Sequence, residues 1–313
     1  MDIRSLPVGQ GLTWFKQAID LGGRNPRAVF GAALLLILAL YVAVLLVALG
    51  LAALVKGGQA VGDAAGPSLA VAMWVAVPLM LLIMLLVPIL LGGLMHVIRE
   101  AEAGRPVRAR DVFMPLRSAN GRRLALLGLV QVALAVVGGA LVMGIAGADY
   151  WREYMTAMQG AMQGGTPPQV PQAQNAGVLF LVQLVFNYFS YAMMLLAIPL
   201  MLFSGRGFVA ALRDSLRAAV RNVGANLLAG LLFVGALLVA SLVVLLVGGL
   251  ASLIGGLVHS VVGGLLLMAV MLGFASVLLV LVAGGAYLAW RDTFGDAARP
   301  QLPDAGASHG IEV

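Results

Sequence analysis

Between Asn222 and Trp290 the chain runs for 69 residues without one charged side chain. As a single helix at about 1.5 Å per residue it would be about 100 Å long, against a bilayer core about 30 Å thick. It must cross, turn and cross back. The turn falls in GGLASLIGGLVHSVVGG, residues 248–264, where glycines give backbone freedom and His259 and Ser260 meet water. Uncharged runs at 28–55, 64–98, 124–148 and 172–205 are each long enough to span. Six spans result. With 62% apolar and 10% charged residues, the chain lies far from the roughly 45–50% and about 25% of a soluble domain, so lipid is its main solvent.

Charge orders the spans. With six crossings, one side holds residues 1–27, 99–123, 206–221 and 291–313, which carry 17 of the 19 Lys and Arg; Lys56 and Arg152 lie on the other. The positive-inside rule places the basic side, and with it both termini, in the cytoplasm of a bacterial inner membrane. The formal charge of +6 is thus spread over membrane-proximal segments, where anionic lipid and not nucleic acid is the expected partner. Cysteine is absent, so no disulfide framework exists. The first apolar run exceeds the roughly 7–15 residues of a cleavable signal and reads as a retained anchor.

Two segments ahead of spans are alike. LTWFKQAIDLGGRNPRAVFGAALLL and GFVAALRDSLRAAVRNVGANLLAGLLF align Phe15 with Leu212, Lys16 with Arg213, Ile19 with Leu216, Arg24 with Arg221 and Asn25 with Asn222. In the second, Phe208, Leu212, Leu216 and Ala219 make an apolar stripe and Arg213, Arg217 and Arg221 a basic one, the pattern of an interfacial amphipathic helix. In the first, Trp14, Phe15, Ala18, Ile19 and Leu21 oppose Lys16, Gln17 and Asp20. Each reads as an elbow on the cytoplasmic surface, with Leu212 and Leu216 beneath the headgroups and Arg213 and Arg217 among them. Asn25 before Pro26, and Asn222 near Gly224, mark the bend into the span as helix caps. A weaker copy, ARDVFMPLRSANGRRLALLGL at 109–129, is interrupted by Pro115. The expected fold is all-α and polytopic. It has six transmembrane helices in three parallel units of elbow plus hairpin, about 8–98, 99–205 and 206–295. These form one membrane domain, 1–295, followed by a disordered cytoplasmic tail, 296–313.

The segments WFKQAIDLGGRNP (14–26), REAEAGRPVRARDVF (99–113), GFVAALRDSLRAAVRN (207–222) and YLAWRDTFG (287–295) carry a family likeness. The chain resembles bacterial inner-membrane proteins of the YciC-like group, whose function is uncharacterised. That group is similar to the membrane domain attached to some glycerophosphodiester phosphodiesterases. The resemblance implies a six-helix membrane domain with cytoplasmic elbows. It brings no catalytic residue, because it covers the membrane domain and not the soluble domain with metal-binding Glu and His.

Within the spans themselves no residue ionises near neutral pH, His96 lying at a membrane edge and His259 in the turn, so the usual signature of a proton or ion pathway is missing. The polar residues there are Gln131, Gln183, Asn187, Ser190, Asn226, Ser241 and Ser276. Gln183, Asn187 and Ser190 share one helix face with Tyr191, either as a solute site or as interhelical hydrogen bonds, and the latter is the plainer reading. Prolines 78, 88 and 199 kink helices or line a cavity. His96 with Glu100 and Glu102 is the nearest approach to a catalytic cluster and makes a poor one. Met155, Met158 and Met162 have soft-metal chemistry, but Tyr150, Trp151 and Tyr154 beside them fit an interfacial helix better. These residues point to a non-catalytic membrane-organising or lipid-interacting protein without a cofactor. The alternative is a transporter or channel for a small or amphipathic solute.

Overall fold

A computed structural model describes residues 2–60, 69–162 and 172–295; the expected disordered tail, 296–313, lies outside them. The described residues form nine α-helices and a 3-10 helix, with no strand among them. In order these are α1 (Gln10–Arg24), α2 (Pro26–Ala60), α3 (Leu69–Glu102), the 3-10 helix (Ala109–Arg117), α4 (Ala119–Ala146), α5 (Ala148–Met162), α6 (Ala176–Leu202), α7 (Phe208–Arg221), α8 (Val223–Val258) and α9 (Ser260–Phe294). Helices α2, α3, α4, α6, α8 and α9 are long and apolar enough to cross a bilayer, so the chain reads as a multi-pass membrane protein.

The long uncharged run breaks at one residue. His259 separates α8 from α9 in an extended conformation, φ −167° and ψ 143°, and its Nδ1 accepts a hydrogen bond from the Val261 N–H. The flanking glycines are helical and serve another purpose than turning. A Cβ on Gly255 would stand 2.7 Å from Gly263 Cα, and one on Gly263 2.6 Å from Ser252 O. They let two helix backbones touch where the hairpin closes.

Helices α3, α6 and α9 pack on one another pairwise. The core lies at the end of the bundle where these three finish, hereafter the basic end. Residues 89–101 of α3, 194–201 of α6 and 283–294 of α9 supply most of its buried side chains. Away from that end, α2, α4, α6 and α8 present long runs of exposed Leu, Val and Phe, the surface that lipid covers. Each of the three converging helices stops at a left-handed glycine: Gly104 (φ 68°), Gly205 (φ 62°) and Gly295 (φ 60°). After the first two, the N–H of the next arginine returns to the helix, Arg105 to Glu100 O at 2.9 Å and Arg206 to Leu200 O at 3.1 Å. Such a stop needs a positive φ, which glycine adopts without strain.

The short helices wrap this core. As α1 advances, Gly11 meets Ala225 and Ala229 of α8, and Phe15 then meets Phe233 with ring centroids 5.3 Å apart. Along α9 the order reverses: Trp14 meets Asp292, Ala18 and Leu21 meet Gly284, and Gly22 comes near Val280. Helix α1 therefore lies lengthwise in the cleft between α8 and α9. The elbow expectation laid it flat in the interface; instead Trp14 is 1% exposed. The reason is the small-residue stripe Gly11–Ala18–Gly22, which admits the α8 backbone at Gly11, Gly284 at Ala18 and the side chains of Phe30 and Val280 at Gly22, while Trp14 is buried beside it. The 3-10 helix packs on α2 and α3, with Val112 against Gly93 and Ala109 against Gly31. Pro115, which has no N–H to donate, sits within it. Helix α7 packs on α6 through Ala211, Asp214, Ser215, Ala218 and Ala219.

Candidate functional site

Two places gather the polar residues. The first, at the basic end, joins the start of the chain to its last helix. Arg291 Nη1 donates to Glu102 Oε1 at 2.6 Å, its Nε to Asp292 Oδ1 at 3.0 Å and its Nη2 to Gln17 Oε1 at 3.0 Å. Asp292 Oδ2 also accepts from the Trp14 indole N–H at 2.9 Å and from Gln10 Nε2 at 2.8 Å. Each charge faces an opposite charge or a donor, so the cluster holds α1, α3 and α9 together. A strap from Arg4 to Leu6 runs alongside. The Arg4 N–H donates to Thr293 O at 2.9 Å, Asn222 Nδ2 to Arg4 O at 3.0 Å, and the Leu6 N–H to Asn222 Oδ1 at 2.8 Å.

Asn25 caps α2 as its position suggests, accepting the Ala28 N–H on Oδ1 at 3.3 Å. Asn222 does not cap α8 with its side chain; it is buried and holds the strap. The helix charges Arg99, Glu100, Glu102, Arg291 and Asp292 lie beyond the apolar runs but still within long helices. Glu100 pairs with Arg105 and Glu102 with Arg291. The hydrogen bond from Arg105 to Glu100 pushes the guanidinium pKa above its ordinary value. Among the described residues no group of three or more His, Asp or Glu side chains is placed to hold a metal ion. Helix α5 carries the stacked rings Tyr150, Trp151 and Tyr154; the side chains of Met158 and Met162 lie outside the described residues.

The cluster was missed in the sequence because its members are scattered over 282 positions, from Gln10 to Asp292. A signal was nevertheless present. Three of the four segments 14–26, 99–113, 207–222 and 287–295 meet in it, through Trp14 and Gln17, Glu102, and Arg291 and Asp292. The fourth ends at Asn222, which anchors the adjoining strap.

The second place is a cavity of about 470 Å³ between α3, α4 and α6. Gln183, Asn187, Ser190 and Tyr191 of α6 line it together with Gln131 of α4 and Pro88 of α3. Among the described residues the carboxamides of Gln131, Gln183 and Asn187 form no hydrogen bond to another side chain or to the backbone. The interhelical bonding expected of them is made elsewhere, by Asn226 Nδ2 donating to the Tyr188 hydroxyl at 3.3 Å and that hydroxyl to Ala219 O at 2.8 Å. Asn187 and Tyr191 are exposed at the cavity's lateral mouth. Toward the basic end its walls are the buried Met194 and Ile198.

On α7 the residues divide three ways. Leu212 packs against the core. Leu216 borders an apolar hollow on α6. The outward strip is formed by Val209, 75% exposed, and Val220, with Leu216 at its edge and Arg213, Arg217 and Arg221 alongside. On α1, Phe15 is half-buried against Phe233 while Lys16 and Ile19 face outward, the same exposure as Leu212, Arg213 and Leu216, with which they align.

No family model, no curated protein and no solved structure matches this chain.

Proposed function

We propose that this is a non-catalytic, lipid-interacting membrane protein of a bacterial inner membrane, with both termini in the cytoplasm. Its plan is three successive units, each a short helix followed by two spans, in keeping with the YciC-like resemblance. Gly205 and Gly295 close the second and third units, and Gly104 follows the last span of the first, in support of that plan. The observation that carries the lipid role is α7. Its apolar strip, Val209 and Val220, stands outward beside three arginines on a helix whose opposite face is already committed to α6. An apolar strip bordered by cations suits the boundary between acyl chains and anionic headgroups. Passage of a solute is less well supported, because the mid-span cavity opens sideways and is bordered by buried core toward the basic end.

Reconstitution in bilayers of graded phosphatidylglycerol content tests this reading. Each arginine near such a surface contributes about 1 kcal/mol, weakened by salt, and burial of a Val side chain about 1.5 kcal/mol or more. The wild-type melting temperature is expected to rise with the anionic fraction. Arg213→Gln with Arg217→Gln is expected to flatten that rise, and Val220→Asp to lower stability at every composition. A melting temperature indifferent to anionic lipid in all three proteins would exclude the role assigned to α7.

A further inference from the structure

Asn187 and Gln131 of the cavity between α3, α4 and α6 lie far from either end of their helices. Asn187 is roughly 16 Å from one end of α6 and roughly 22 Å from the other, and Gln131 is similarly central in α4, at about 1.5 Å per residue. No Lys, Arg, His, Asp or Glu lines the cavity among the described residues, so a charged phospholipid head would find no counter-ion there. Plain hydrocarbon fits no better, since it would leave three carboxamides unpaired in an apolar medium. Those carboxamides offer N–H donors converging from two helices, with the hydroxyls of Ser190 and Tyr191 beside them.

A second hollow, about 620 Å³, adjoins the first and shares Leu134, Phe186 and Ser190 with it. Its other walls, including Leu181, Val185, Phe189 and Met193, are apolar. Together the two make a chamber with one polar side beside an open apolar groove along α6. The chamber's volume suits a ring-sized head better than a single hydroxyl, which would leave most of it empty.

From this we infer a binding site for an isoprenoid quinone. The uncharged ring lies among Gln131, Gln183 and Asn187, its two carbonyl oxygens accept from their N–H groups, and the prenyl chain runs past Phe186 into the second hollow. The inference adds a specific ligand to the lipid-interacting reading, yet stands on different residues from the α7 surface, so either can fail alone.

Native mass spectrometry of the full chain tests it. The protein is released from phosphatidylethanolamine/phosphatidylglycerol nanodiscs doped with equal mole fractions of a long-chain isoprenoid quinone, a polyprenol of matching length, or diacylglycerol. The quinone is expected to give a one-to-one adduct, with polyprenol and diacylglycerol at background. The double variant Gln183→Leu with Asn187→Leu, which removes the donors, is expected to lower that adduct about tenfold. Gly139→Phe acts by filling the chamber: its Cβ meets nothing within 4 Å, so the ring enters without a backbone clash and the adduct falls similarly. Arg217→Gln on α7 leaves it at the wild-type level. The site is refuted if the wild type retains quinone no better than polyprenol or diacylglycerol. It is equally refuted if both cavity variants retain quinone like the wild type.

Discussion

Trp14 and Trp290 are buried alike, at 1% and 0% exposure, but only one has a hydrogen-bond partner. The Trp14 indole donates to Asp292. The Trp290 indole has no acceptor among the described residues, and its ring lies against Phe203 and Tyr287. A hydrogen bond to a charged group contributes about 1.5–3 kcal/mol, whereas removing an unpaired buried N–H recovers part of its desolvation cost. Trp14→Phe is therefore expected to lower the melting temperature in detergent clearly more than Trp290→Phe, although both remove the same volume. Equal losses would mean that the Asp292 contact contributes nothing. At this scale the sequence was legible where partners are local. Asn25 reads as a cap because the N–H it accepts lies three residues away. Asn222, aligned with it, does not, because its partners are Arg4 and Leu6, 218 and 216 positions distant. Gln183 and Asn187 were visible as one helix face; Gln131 joins them only through the packing of α4 on α6.

Among elements, the hairpin of α8 and α9 shows what composition can and cannot tell. Its existence follows from length, since 69 uncharged residues cannot cross once. Its glycines, however, divide into those facing the partner helix and those facing away, a distinction that depends on the crossing angle. A side chain on Gly255 or Gly263 would collide with the opposing backbone, while one on Gly256 or Gly264 would meet nothing within 4 Å. Gly263→Leu is thus expected to destabilise the hairpin by about 1–3 kcal/mol or more, the usual cost of overpacking, and Gly264→Leu to be nearly neutral. Matched losses in thermal melts would contradict this crossing. The short helices teach a similar lesson. Two-faced periodicity in α1 and α7 was plain, but amphipathicity does not state whether lipid or protein covers the apolar face. For α1 it is protein, because Gly11 and Gly22 permit close approach.

At the scale of the whole molecule, the core is gathered at one end. Helices of 34–36 residues, such as α3, α8 and α9, exceed the roughly 20 needed to span, and the short helices pack beside their finishing or starting turns at the basic end. Pairing of distant charges, from Glu102 to Arg291, closes the first part of the chain on the last. The sequence disclosed the number of long apolar helices, a sum over many residues. It concealed the converging ends of α3, α6 and α9, which depend on which small residues meet.

The proposed topology, six spans with both termini on a cytoplasmic basic side, can be measured directly, because the chain has no cysteine and each introduced thiol reports alone. Single variants Lys16→Cys, Ala60→Cys, Ala103→Cys and Thr156→Cys are treated with a membrane-impermeant maleimide in intact spheroplasts and again after lysis. Ala60→Cys and Thr156→Cys are expected to label in the intact cells, and Lys16→Cys and Ala103→Cys only after lysis. Labelling of Ala103→Cys in intact spheroplasts, or protection of Thr156→Cys, would contradict the topology.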